Sequence, residues 1–266
     1  MVMFDSLNRD MLEPYGGNLV KTPNFTRMAE HSVTFDNCYA GSLPCMPARR
    51  ELHTGRYNFL HRSWGPLEPF DDSMPEILNR HHIHSHLVTD HYHYFEDGGA
   101  TYHTRYNSWE CVRGQEGDPW KAYVGAVELP PHLGQANKQD EVNRAYIRGL
   151  GKQPLEKVFG LAHEFLNENR DADNWLLHIE PFDPHEPFFA PEEYQNRYSD
   201  DYTGMRFDWP PYDHVTESLA AQVHCRNQYG ALLTMCDAYL GKLLDYMDVH
   251  RMWQDTMLIV ATDPGF

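Results

Sequence analysis

Cys45-Met46-Pro47-Ala48-Arg49, followed by Leu52 and Thr54-Gly55-Arg56, sets a thiol and a guanidinium at a fixed interval in the pattern C-x-P-x-R-x-x-L-x-T-G-R. Pro47 suits the first turn of a helix, where its missing N–H costs nothing. Ala48 to His53 can continue that helix, and Thr54-Gly55 can end it. Cys45 is then expected just ahead of a helix N-terminus, where free N–H groups and the helix dipole favour an anion. Arg49 falls about one turn further on, so its guanidinium can reach back to the same place. An isolated cysteine would read as a small packing residue beside a surface arginine. Placed as expected here, Cys45 would instead lie in an anion-binding site.

The elements around this segment must bring further polar groups to it. Met1 to Phe4 reads as the end of a buried strand that delivers Asp5 to its tip. Trp175 to Glu180 is an apolar strand candidate running into Phe182-Asp183-Pro184-His185, with Pro184 and Pro187 flanking His185. Met257 to Ala261 is another, ending at Thr262-Asp263. His84 to Thr89 leads into Asp90-His91-Tyr92-His93, where His91 and His93 share one side of an extended chain. Taken singly, Asp5 suits a turn or a helix cap, His185 an exposed loop, and the histidine run a solvated one. Thr22 is expected to cap a helix over 23–30, and Ser73 one over 74–80. Val33 to Phe35 is expected as a short strand. Helices are expected from about Gln139, over 154–167, and over 215–247 as one long or two consecutive elements. Residues 96–135, rich in Gly, Pro, Trp and Tyr, read as a long insertion loop, and long ordered loops are often functional. Alternating strands and helices with polar residues at strand ends imply an α/β layered fold, its central sheet mostly parallel and flanked by helices, with ligand groups at the carboxyl ends of the strands.

The Cys45 segment resembles the signature of the type I, formylglycine-dependent sulfatases of the alkaline-phosphatase-like superfamily. Phe4-Asp5-Ser6, Asp183-Pro184-His185 and Asp263-Pro264-Gly265 are similar to further family segments in the same order, so the resemblance covers almost the whole chain. It implies that Cys45 is converted to formylglycine by a formylglycine-generating enzyme, and that the hydrated aldehyde attacks sulfur. It implies Asp5, Cys45 and Asp263 as ligands of a divalent cation, calcium being usual and manganese or magnesium alternatives. It implies Arg49, His185, His91 and His93 as groups that steady the sulfate or protonate the leaving alcohol. Three positions depart from the family pattern. Ser6 stands where a second aspartate is common. Pro264 stands where histidine or asparagine is usual. Thr89 to His93 carries no lysine where the family has Gly-Lys-Trp-His. The resemblance further implies that 1–266 is an incomplete N-terminal catalytic domain, its C-terminal part absent. The implied activity is hydrolysis of an aryl or carbohydrate sulfate. Alternatives are a phosphonate or phosphate ester hydrolase of the same superfamily, or an inactive form that binds without turnover.

Composition narrows the classes. Hydrophobic residues make up 41% of the 266, enough for a core. A formal net charge of −17 argues against a general nucleic-acid partner. No apolar run is long enough for a membrane span, and no basic-then-apolar leader opens the chain, so a cytoplasmic location is expected. Five scattered cysteines without a C-x-x-C pair fit a reducing compartment and suggest no zinc motif.

Overall fold

The computed structural model describes residues 1–99 and 101–263. Five strands form one sheet in the order β3-β2-β4-β1-β5: β1 (Val2–Phe4), β2 (His84–Thr89), β3 (Ser108–Cys111), β4 (Trp175–Glu180) and β5 (Val260–Thr262). Every pairing is parallel. The helices are α1 (Pro23–Glu30), α2 (Cys45–Thr54), α3 (Met74–Arg80), α4 (Lys138–Ile147), α5 (Pro154–Glu168), α6 (Glu192–Gln195) and α7 (Leu219–Val249). Parallel strands need covered faces, and β2 and β4 accordingly read as buried runs.

The two faces of the sheet are packed differently. Val2, Phe4, Val88, Leu177 and Ile179 point into the main apolar core, built with α1, α5 and α7 from residues such as Phe25, Val158, Phe159, Leu232 and Leu240. Leu87 belongs to a smaller cluster with Met46, Leu67, Tyr94, Tyr102 and Tyr106. On β4, His178 and Glu180 alternate with Leu177 and Ile179, so strand periodicity sends both ionisable side chains to the α2 side.

Several expectations change in detail. Thr22 precedes α1, but its hydroxyl accepts from the Glu13 N–H instead of capping the helix. Ser73 likewise donates to Glu76 at 2.7 Å. Val33 and Phe35 form no strand; both side chains are exposed, and no strand among the described residues lies beside them. The 96–135 segment contributes the edge strand β3, too short and too exposed to show a period in sequence. The 215–247 pattern is one helix of 31 residues, started by Ser218, whose hydroxyl accepts from Ala221 N–H.

Candidate active site

Sheet order assembles the site. Asp5 follows β1, Glu180 ends β4 and Asp263 follows β5; since β1 lies between β4 and β5, the three carboxylates meet at one carboxyl edge. Helix α2 begins above that edge. It starts at Cys45, two residues before Pro47, with Pro44 as N-cap; Gly55 closes it at φ 65°, a left-handed conformation that favours glycine.

Arg49 is the centre of the arrangement and has no solvent exposure. Its Nε donates to Glu180 Oε1 at 2.7 Å, its Nη2 to Asp5 Oδ2 at 3.2 Å, and its Nη1 to the Cys45 carbonyl at 3.1 Å. Nη1 also donates to Asp263. Cys45 Sγ lies 3.7 Å from Asp5 Oδ1. Ligand atoms of Asp5, Cys45 and His185 all lie within 4.8 Å of one another. Ser6, at φ 54°, donates its hydroxyl to Asp5 Oδ1 at 2.9 Å and its N–H to Asp263 Oδ1 at 3.3 Å, tying the two aspartates together. Pro264 lies outside the described residues.

The four histidine and cysteine candidates differ in character. Burial, then the charge of Asp5, pushes the Cys45 thiol well up, so it is a neutral thiol and a poor nucleophile as it stands. His185 Nδ1 donates to the Glu186 carbonyl at 2.6 Å, which leaves Nε2 for the site. Burial opposes protonation of His185, but the charges of Asp5, Glu186 and Glu116 outweigh it and raise its pKa. His91 Nε2 donates to Asp5 Oδ2 at 3.1 Å, and burial, then Arg49, holds its pKa well below the ordinary value. In that setting His91 presents an imidazole N–H that orients the Asp5 carboxylate. His93 sits in a 3₁₀ turn over Tyr92–Phe95, not in an extended chain. Its ring nitrogens face Glu96 at 2.6 Å and Glu116 at 3.5 Å, at the rim of the cluster.

Asp5 and Asp263 sit in the same buried centre yet behave oppositely. Burial disfavours the Asp5 anion, but His91, His185 and Arg49 hold its carboxyl well below the usual range. Asp263 is pushed up to about 8, by burial and then by Asp5 despite Arg49. Three buried acids share one buried guanidinium, and their oxygen donors fit a hard divalent cation, which would favour the ionised form of Asp263. With Cys45 as a thiol, the Asp5–Cys45–His185 group also carries one sulfur and one nitrogen donor.

Sequence patterning did not single out Glu180 or Tyr94. Tyr94 donates to Glu180 at 2.7 Å, and both are wholly buried. The available signal was the alternation in β4, where His178 and Glu180 share a face of a strand that is otherwise apolar.

A family model described as Sulfatase matches residues 1–266. The choline-sulfatase of Rhizobium meliloti is 23% identical over 304 residues, covering 100% of this chain and 56% of that protein. The N-acetylglucosamine-6-O-sulfatase of Bacteroides thetaiotaomicron is 22% identical, covering 100% of this chain and 57% of its own length. The chain therefore spans little more than half of these relatives. Among solved structures, the phosphonate monoester hydrolase of Agrobacterium radiobacter superposes with a TM-score of 0.71 at 19% identity, over 99% of this chain and 62% of that one. With its parallel sheet, flanking helices and matching family model, the chain belongs to the sulfatase family and has the alkaline-phosphatase-like fold.

Proposed function

We propose that this protein is a sulfuric ester hydrolase in which Cys45 is matured to formylglycine and acts beside a divalent cation. The observation that carries the reading is the meeting of Asp5, Cys45 and His185 within 4.8 Å, at a strand-end site that also holds Arg49 and Asp263. The neutral thiol supports a matured nucleophile over a cysteine thiolate. Hydrated formylglycine would supply a hydroxyl nucleophile for sulfur. The cation, held by Asp5 and Asp263 and by the oxygen that replaces Cys45 Sγ, would supply charge that favours loss of that hydroxyl's proton.

The chain's own groups do the rest. Arg49 fixes Asp5 and Asp263 and holds the first turn of α2 through the Cys45 carbonyl. His91 and Ser6 hold the Asp5 carboxylate from two sides. His185, whose pKa the surrounding carboxylates raise, gives its Nε2 proton to the departing alcohol. His93, at the rim, contacts the ester or its alcohol. The substrate is an aryl or carbohydrate sulfate, in line with the N-acetylglucosamine-6-O-sulfatase relative. The maturation partner is a formylglycine-generating enzyme, and the cation is calcium, with manganese or magnesium as alternatives.

Phosphonate or phosphate ester hydrolysis is the second reading. Ser6 in place of a second carboxylate favours it, and the phosphonate monoester hydrolase likeness is compatible with it. The two readings separate when the matured chain is offered 4-nitrophenyl sulfate and a 4-nitrophenyl phosphonate monoester. The sulfate reading expects faster turnover of the sulfate, lost in Cys45→Ala. Faster phosphonate cleavage overturns it in favour of the second, and no cleavage of either overturns both.

A further inference from the structure

Three buried acids surround Arg49, and two of them, Asp5 and Asp263, are the proposed cation ligands. The third, Glu180, faces the opposite edge of the guanidinium. Glu180 Oε1 accepts from Nε at 2.7 Å, while the two Nη atoms serve Asp5, Asp263 and the Cys45 carbonyl. Glu180 is itself held. Tyr94 donates to both of its oxygens, at 3.0 and 2.7 Å, and His178 Nε2 lies 3.9 Å from Oε2. His178 is fixed in turn by Tyr106, whose hydroxyl lies 2.7 Å from Nδ1. None of Arg49, Glu180, Tyr94 and His178 is exposed to solvent.

Helix and strand geometry explain the match. Arg49 and His53 are four residues apart on α2, about 6 Å along a helix. Glu180 and His178 are two apart on β4, about 6.6 Å along a strand. The near-equal spacings let one helix face lie along one strand face, and His53 meets Tyr102 and Tyr106 edge-on at its end.

A guanidinium paired only with Asp5 and Asp263 would direct its whole positive charge at those two carboxylates and compete with any cation for their oxygens. A third acid on its far edge counters that charge and fixes its direction. We propose that Glu180, braced by Tyr94, is a positioning residue that acts through Arg49 to keep the Asp5 and Asp263 oxygens available to a divalent cation. The inference deepens the reading above and rests on its cation site alone, not on ester turnover.

Calcium titration calorimetry on the 266-residue chain, unmatured, tests it with Glu180→Gln, Tyr94→Phe, Arg49→Met and the Arg49→Met double variants. Wild type should bind calcium. Glu180→Gln should weaken binding on the order of ten-fold and Tyr94→Phe roughly three-fold, as expected for a charge and for one hydrogen bond. In the Arg49→Met background, adding either change should shift affinity by less than about two-fold, because the intermediary is gone. Three results would overturn the proposal: no calcium uptake by wild type, wild-type affinity in Glu180→Gln, or a full loss that persists without Arg49, which would mean Glu180 acts directly. Should Glu180→Gln not fold, the Tyr94→Phe cycle decides by the same criteria. Calcium binding with this pattern but no sulfate cleavage after maturation removes the hydrolase reading and leaves the Glu180 assignment standing.

Discussion

One sheet carries two unlike faces. Toward α5 and α7, Leu177 and Ile179 meet a continuous apolar core that includes Val158, Phe159 and Leu240. Toward α2, the neighbouring residues His178 and Glu180 meet Arg49, Tyr94 and Tyr106, and Tyr106 in turn meets His53. The first face gains free energy from every apolar group it hides. The second hides charges whose burial costs free energy unless each is paired. Both belong to the same six residues of β4, so the difference reflects what each face is for. One holds the fold together, and the other, on the function proposed above, holds a reactive centre at some expense of stability.

Substitutions should separate the faces by sign as well as size. Ile179→Ala on the apolar face should lower unfolding free energy by about 2–5 kcal/mol, the range for truncating a well-packed aliphatic side chain. Urea unfolding checks it; a loss below about 1 kcal/mol would mean that this face is not closely packed. Asp263→Asn at the site should do the reverse when no divalent cation is present. Asp263 has its carboxyl raised to about 8, above the ordinary 3.8, so the stability present below pH 3.8 is lost as pH rises through 8. The variant escapes that loss. Its advantage should therefore grow from pH 4 to pH 8, to on the order of 1–3 kcal/mol, while ester turnover collapses. Equal melting temperatures for the two proteins at pH 8 would break the contrast between faces.

A separate, pH-dependent effect is expected one helical turn behind the site. Burial, then the charge of Arg49, lowers the His53 pKa to about 3, and neither ring nitrogen has a hydrogen-bond partner among the described residues. The unfolded chain takes up this proton below about pH 6.5, and the folded chain does so only near 3. Stability should thus fall as pH drops from 6.5 to 3, by up to about 1.4 kcal/mol per pH unit from this group alone. Subtracting the pH profile of His53→Phe from that of wild type isolates the contribution. A difference that stays flat across this window would show that His53 is not held neutral.

The apolar face and the motif residues were legible for different reasons. Helix α7 and strand β4 announce themselves because burial imposes a period on the chain. Asp5, Cys45, Arg49, His185 and Asp263 were visible because strand ends and a fixed local pattern expose them in sequence, and the structure brings them together. Glu180 was not, because at the end of an apolar strand it looks like a boundary residue; only the register against α2 shows its partner. Tyr94 was hidden in a histidine-rich turn whose 3₁₀ geometry alternation cannot reveal. Val33 and Phe35 misled in the other direction, since apolar residues make a strand only where a neighbour supplies hydrogen bonds.

On the function proposed above, the polar face is built around Cys45 as a matured nucleophile. The direct measurement is the mass of the Cys45 peptide after expression with a formylglycine-generating enzyme. Conversion of the thiol to an aldehyde, seen as sulfur and two hydrogens lost and one oxygen gained, is the predicted result. An intact thiol, under conditions that fully convert a control sulfatase, would contradict the account.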